Sequence, residues 1–332
     1  MKNCFVILWL VLAAACAGKH NYPLVGEIEK LDPSLDSILS PNAKAEIIVD
    51  GLDWSEGPLW IEEKQLLLFS DVPQNTIYQW TETSGKKVYL SPSGYTGNLK
   101  RGGETGSNGL TMNPEGRLVL CQHGNRQVAF MNAPLDKPAA AFITVADNYK
   151  GKRFNSPNDV VYNKAGEVFF TDPPYGLEKN MDDPLKEISF QGVYKVKKSG
   201  EVVLLVDSLT RPNGIILLPG EKTLLVANSD PAKPNWYAFD ITDSGRLANG
   251  RIFWSAAGYD QTLKGLPDGM KADRAGNIFA TGPGGIWIFN NRGLLAGKIK
   301  LPEAASNCAL SADEKTLYIT NDMNVLRLKL RP

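Results

Sequence analysis

Short apolar runs recur along this chain, each closed by a cluster of Gly, Pro, Asn or Asp. Leu66–Ser70 is followed by Thr76–Trp80, Arg117–Cys121 by Gln127–Met131, and Glu167–Thr171 by Gly192–Val196. Thr223–Ala227 with Trp236–Asp240 and Asn277–Thr281 with Gly285–Phe289 continue the series. These runs are rich in β-branched and aromatic residues, and the breaks carry turn signals such as Pro114-Glu115-Gly116 and Lys164-Ala165-Gly166. That pattern predicts β-strands joined by hairpins. No amphipathic helical stretch longer than three turns is visible.

A second pattern lies over the first. A polar oxygen-bearing residue opens one apolar run in each unit: Glu56-Gly57-Pro58, Asn108-Gly109, Asn158-Asp159, Asn213-Gly214, Asp268-Gly269 and Asn307-Cys308. The spacing is close to 50 residues, except for a shorter last step. Such a period in a β-rich chain predicts a radial array of sheets. The expected fold class is all-β, a six-bladed β-propeller. Equivalent positions of every blade then face one axis, so six oxygen donors would converge there, as a hard cation requires. The competing reading is that Asn-Gly and Asp-Gly are ordinary turn pairs. The last unit, Lys315–Thr320 and Asn324–Leu330, lacks an outer strand. Ala45–Val49 could supply it and close the ring.

Composition narrows the classes. Of 332 residues, 43% are hydrophobic and 22% charged, as in a globular chain. Lys plus Arg and Asp plus Glu both number 36, so no basic field is present to attract nucleic acid. His20 and His123 are the only histidines, which excludes a multi-histidine zinc site. Lys2, the apolar stretch Phe5–Ala15 and Cys16 resemble a bacterial lipoprotein signal, too short to span a bilayer. The expected division is a signal at 1–16, an exported tether at 17–44 and the propeller at 45–332. An ordinary cleaved signal is the alternative, and both place the protein in the periplasm or at the cell surface. Membrane attachment is expected only through a lipid at Cys16. Cys121 and Cys308 sit in apolar strands and are expected as separate buried thiols.

Glu56 and Asp268 offer carboxylates at the axis, and Asn158 and Asn213 offer amide oxygens. Four such donors with water suit Ca2+, one per chain, better than zinc or copper. The segments also carry a resemblance. Glu56-Gly57-Pro58-Leu59-Trp60 through Asp71-Val72-Pro73, Ser156-Pro157-Asn158-Asp159, Arg211-Pro212-Asn213-Gly214 and Pro267-Asp268-Gly269-Met270 resemble the regucalcin/gluconolactonase (senescence marker protein) family. Cys121-Gln122-His123-Gly124-Asn125-Arg126 is similar to a segment of its bacterial gluconolactonase branch. The likeness covers roughly residues 45 to 330. It implies a propeller with one axial divalent cation that hydrolyses lactones. It also implies Glu56, Asn213 and Asp268 as cation ligands and Asn158 on the substrate side. Where the regucalcin branch carries a sugar-binding Arg, two residues before that Asn, this chain has Ser156.

Ester hydrolysis needs a polarised carbonyl, an activated water and a base. Asp268 is the expected base, with His123 as a second catalytic group. Asn108, Asn158 and Arg126 are the expected substrate contacts. No Gly-x-Ser-x-Gly elbow is present, which argues against a serine hydrolase. An arylesterase-like propeller of the paraoxonase type remains open. So does a non-catalytic surface lipoprotein that binds carbohydrate or protein around a structural calcium. The expected partner is a small lactone, acted on by a monomer.

Overall fold

Leu66-Leu67-Leu68-Phe69 shows why the strands read as continuous apolar runs. Alternate side chains of a strand point to opposite faces. Leu66 and Leu68 pack on Leu118, Leu120 and Met131 of the following sheet. Leu67 and Phe69 pack the other way, on Tyr318 and Val325 of the last sheet. Both faces are buried, so no polar alternation survives. The computed structural model describes residues 21–331 and repeats this arrangement six times. Six apolar clusters form, one between each pair of neighbouring sheets. The result is a six-bladed β-propeller.

Each blade is an antiparallel meander running outward from the axis. The first consists of Ser55–Ile61, Leu66–Asp71, Thr76–Thr81 and Gly85–Leu90. The second to fourth blades span residues 107–146, 160–206 and 212–255. The fifth spans 270–300, and the sixth begins with Ala305–Leu310, Thr316–Asn321 and Asn324–Lys329. Ala45–Val49 pairs antiparallel with this last strand, Val49 opposite Val325 and Ile47 opposite Leu326. Helical structure among the described residues is limited to three short 3-10 turns. Cys121 and Cys308 are free and buried.

The segment before residue 45 departs from the expected tether. Leu24–Val25 pairs with Ala45–Val49, and Glu27–Lys30 adds a fifth strand to the fifth blade. Between them and the ring, Pro33–Ser37 forms a 3-10 turn capped by Asp32, which accepts from Ser34 N at 2.9 Å. That turn delivers Leu35 into the apolar cluster between blades five and six, with Leu39 beside it. The Pro, Asp and Ser that suggested a linker are the turn's starter, cap and edge. The signal segment 1–16, with Cys16, and the first tether residues lie outside the described residues.

If this docking supports the ring, Leu35→Ala should lower unfolding free energy by about 2–5 kcal/mol, as for other buried leucines. Urea denaturation of parent and variant measures it. An unchanged midpoint would mean that the segment lies on the ring without supporting it.

Candidate active site

The innermost strand of each blade starts at the axis, where neighbours crowd. A Cβ on Gly57 would lie 2.1 Å from the carbonyl oxygen of Asn108, and one on Gly214 would lie 2.2 Å from that of Asp268. In the first, second and fourth blades glycine follows the axial residue because the next blade's backbone occupies the side-chain space. Glu56, Asn108 and Asn213 are therefore strand residues, within Ser55–Ile61, Ser107–Met112 and Pro212–Leu217. The turn reading of these pairs does not hold.

The loops leading to the axis are tied down from the end of each second strand. Asp71 accepts from the backbone of Asp53 and Trp54, both at 3.2 Å. Asp172 accepts from Asn155 N at 2.9 Å and Ser156 N at 2.8 Å. Asn228 Oδ1 accepts from Arg211 N at 2.8 Å. These side chains are the rivets that aim Glu56, Asn158 and Asn213.

Glu56, Asn108, Asn158, Asn213 and Asp268 line one cavity of about 310 Å3 at the axis. Asn307, the sixth expected donor, does not. Its amide lies where a Cβ on Gly269 would be, and its Oδ1 accepts from Cys308 N at 2.8 Å. The expected convergence is therefore five donors.

Two further expectations change. Arg126 is not on the cavity. Its buried guanidinium bonds Phe154 O at 2.6 Å, Leu185 O at 2.9 Å and Arg153 O at 3.4 Å, with Glu187 at 3.7 Å. It staples three loop carbonyls together. His123 is fully buried behind the cavity wall. It reaches the site through Asn158 Oδ1, 3.1 Å from its Nε2, and through Glu104 Oε2, 3.3 Å from its Nδ1 but off the line of a hydrogen bond. In this placement the imidazole does not line the cavity.

The cavity instead presents Trp54, Glu104, Tyr175 and Arg211. Arg211 and Glu104 were legible by different signals. Trp54, Arg211, Leu266 and Ala305 all stand two residues before an axial residue and all line the cavity. Arg211 thus takes, one blade on, the place where Ser156 stands in its own blade. Ser156 is buried, donating to Pro173 O at 2.6 Å and receiving from Gly176 N at 2.8 Å. Glu104 comes from the connection 91–106, far longer than a hairpin needs.

The oxygen donors divide by unused capacity. An amide oxygen accepts two hydrogen bonds. That of Asn158 already takes two, from Asn108 Nδ2 at 3.0 Å and His123 Nε2 at 3.1 Å. With both contacts made it has no lone pair left for a cation, which favours the substrate-side role of Asn158 over its role as a ligand. Asn213 Oδ1 takes one, from Asn158 Nδ2 at 2.5 Å. Asp268 Oδ1 and Asn108 Oδ1 have no partner. Burial pushes the Glu56 carboxyl up to about 8, with the charges of Asp159 and Glu104 adding to it. Burial, then the charge of Glu56, holds Asp268 well above the usual carboxylate range. No group of three His, Cys, Asp or Glu able to hold a metal occurs among the described residues. The set on offer is two carboxylates and two amides, all oxygen. Unpartnered oxygens beside crowded negative charge fit a hard cation.

Fold and cavity first define a class: a six-bladed propeller with an oxygen-lined axial pocket. Residues 54–322 match the SMP-30/Gluconolactonase/LRE-like region, and the chain belongs to this family. It is 39% identical over 328 residues to a gluconolactonase of Zymomonas mobilis subsp. mobilis, covering 96% of this chain and 90% of that protein. The structure of a gluconolactonase from Xanthomonas campestris superposes with a TM-score of 0.78 at 29% identity, covering 93% of this chain and 98% of that one. A calcium-binding regucalcin from Agrobacterium tumefaciens shares the fold, with a TM-score of 0.66 at 14% identity over 86% of this chain and 93% of that one.

The raised carboxyls give a pH signature in chelator-treated protein. Burial raises the folded Glu56 carboxyl to about 8, whereas an unfolded Glu titrates near 4.3. Between these values the folded state binds more protons, so stability falls as pH rises. Asp172, pushed up to about 7 by burial, adds a loss in the same direction. Thermal melts from pH 5 to 8 should therefore decline, and Glu56→Gln should flatten the decline while raising the melting point at pH 8. A parallel decline in both proteins would show that Glu56 titrates normally.

Proposed function

We propose that this protein hydrolyses a sugar lactone, gluconolactone or a close relative, in the axial cavity with a divalent cation. The observation that carries the reading is Asp268: a part-open carboxylate with an unpartnered oxygen, beside buried Glu56, in a pocket sized for a small ligand. The 39% identity to a gluconolactonase over nearly the whole chain supports the same reaction class. Glu56, Asn213 and Asp268 would hold the cation, with Asn108 Oδ1 as a further donor. Calcium is favoured by the all-oxygen set. When bound, the cation supplies polarisation of the lactone carbonyl and stabilisation of the oxyanion.

The chain's own groups do the rest. Asp268 takes a proton from water as the water oxygen bonds to the carbonyl carbon. The ring carbon–oxygen bond then breaks, and the proton returns to the departing alkoxide, giving the open hydroxy acid. Arg211 is exposed, its guanidinium makes no hydrogen bond or ion pair among the described residues, and it offers a donor fork to substrate hydroxyls. Glu104 offers acceptors across the same cavity. Trp54 and Leu266 give apolar wall. The same reading puts the enzyme outside the cytoplasm, from the sequence features Lys2, Phe5–Ala15 and Cys16 alone.

Chelation should abolish gluconolactone hydrolysis and calcium should restore it. Asp268→Asn should cost about 10²–10⁴-fold in kcat while the protein stays folded. A panel of aldonolactones and aryl esters measures both. Full activity after chelation would remove the cation, and preference for aryl esters would favour an arylesterase. A calcium-loaded parent that opens no lactone would leave a binding module.

A further inference from the structure

A string of polar side chains crosses the floor of the axial cavity, and its chemistry allows only one direction. It starts at the carbonyl of Pro267, which can only accept. Ser229 Oγ donates to it, and a hydroxyl has a single proton. Ser229 must therefore receive from its other neighbours. Asn213 Nδ2 donates to it at 3.0 Å. The hydroxyl of Tyr175, kept protonated by burial, lies against the same oxygen. With its nitrogen committed to Ser229, Asn213 turns its oxygen toward Asn158 and accepts from Asn158 Nδ2 at 2.5 Å. Asn158 in turn presents its oxygen to Asn108 Nδ2 at 3.0 Å and to His123 Nε2 at 3.1 Å. That oxygen can only accept, so His123 Nε2 must carry a hydrogen. Amide orientation is ordinarily an assignment. Here an acceptor-only carbonyl at one end settles both amides and the imidazole at the other.

We infer that Ser229 and His123 are positioning residues that lock the polarity of the Asn213–Asn158 pair. The lock keeps an acceptor, with one lone pair unused, at the place where Asn213 would meet the cation. Reversal would put an NH2 group there and repel it. His123 is correspondingly the Nε2–H form, with Nδ1 turned to Glu104 at the cavity. The role of Asn213 rests on the cation reading above, whereas the direction of the string and the state of His123 do not.

Two measurements separate these parts. The first is calorimetric titration with Ca2+ of the chelator-treated parent, Ser229→Ala and Ser229→Thr. Ser229→Ala frees the Asn213 amide to turn, and affinity should fall by roughly 10–100-fold, the usual effect of losing a group that orients a ligand. Ser229→Thr keeps the hydroxyl and should restore affinity. The second is long-range 15N NMR of protein labelled at histidine, where only His20 and His123 contribute. His123 should show a protonated Nε2 in the parent, with and without calcium. A bare Nε2 would overturn the direction of the string, whatever the variants do. Unchanged Ca2+ affinity in a folded Ser229→Ala would overturn the positioning role even with the expected imidazole. A parent that binds no Ca2+ would sink the cation reading and the role of Asn213 with it, and the NMR result would still decide the string.

Discussion

The site depends on how closely six strands can approach one axis. The space that a side chain at Gly57 would fill is taken by the backbone of Asn108, and the space at Gly214 by that of Asp268. An alanine at either position would push a blade outward and pull an oxygen donor off the axis. The apolar clusters between blades supply the inward pressure, and these contacts set where it stops. The cavity is therefore a packing consequence, with its width fixed by backbone against backbone rather than by flexible side chains. That rigidity favours preorganised binding of a small ligand.

The same packing creates the electrostatic tension. Glu56 is delivered into a buried site beside Asp268, with Asp159 and Glu104 near, and no hydrogen bond or ion pair within the described residues joins either carboxylate to a cationic side chain. Burial of unpaired carboxylates opposes folding. Structural acids in this protein are treated differently. Asp71 and Asp159 each accept two backbone N–H groups and Glu46 pairs with Arg327 at 2.6 Å, whereas Glu56 accepts one. Acidic groups without a cationic partner are concentrated at the axis, as expected where stability is given up for binding or catalysis.

The propeller was legible because the inner three strands of each blade are buried on both faces, which writes long apolar runs into the chain. The outer strands are wet on one side. Gly85–Leu90 and Leu247–Ser255 expose much of their length and read as loop. Residues 24–39 were hidden for a related reason. They reach the core with few side chains, Leu35 and Leu39 foremost, among Pro, Asp and Ser. At the site, residue type and period picked out Glu56, Asn108, Asn158, Asn213 and Asp268. They could not tell which amide oxygen is spent on hydrogen bonds, because that depends on His123, a residue from another blade. Arg126 and Arg211 show the same limit. Both lie near axial segments, yet one bonds three carbonyls and the other faces the cavity.

In the proposed mechanism the surroundings of the pair favour one carboxylate as base. Glu56 is almost wholly enclosed and one of its oxygens accepts from Gly57 N at 3.2 Å. Asp268 is partly open to the cavity, its backbone is held by Thr281 Oγ1 at 3.1 Å, and its Oδ1 is unpartnered. A base must reach water and keep a lone pair free. In the proposed mechanism Asp268, the more open of the two residues, is the better placed. Burial and the neighbouring charge of Glu56 raise its proton affinity, which offsets part of the basicity that a bound dication would withdraw. In the proposed mechanism Glu56 would serve Asp268 twice, as a co-ligand and, once ionised, as a neighbouring negative charge. On that reading, exchange of either carboxylate for an amide would weaken both functions.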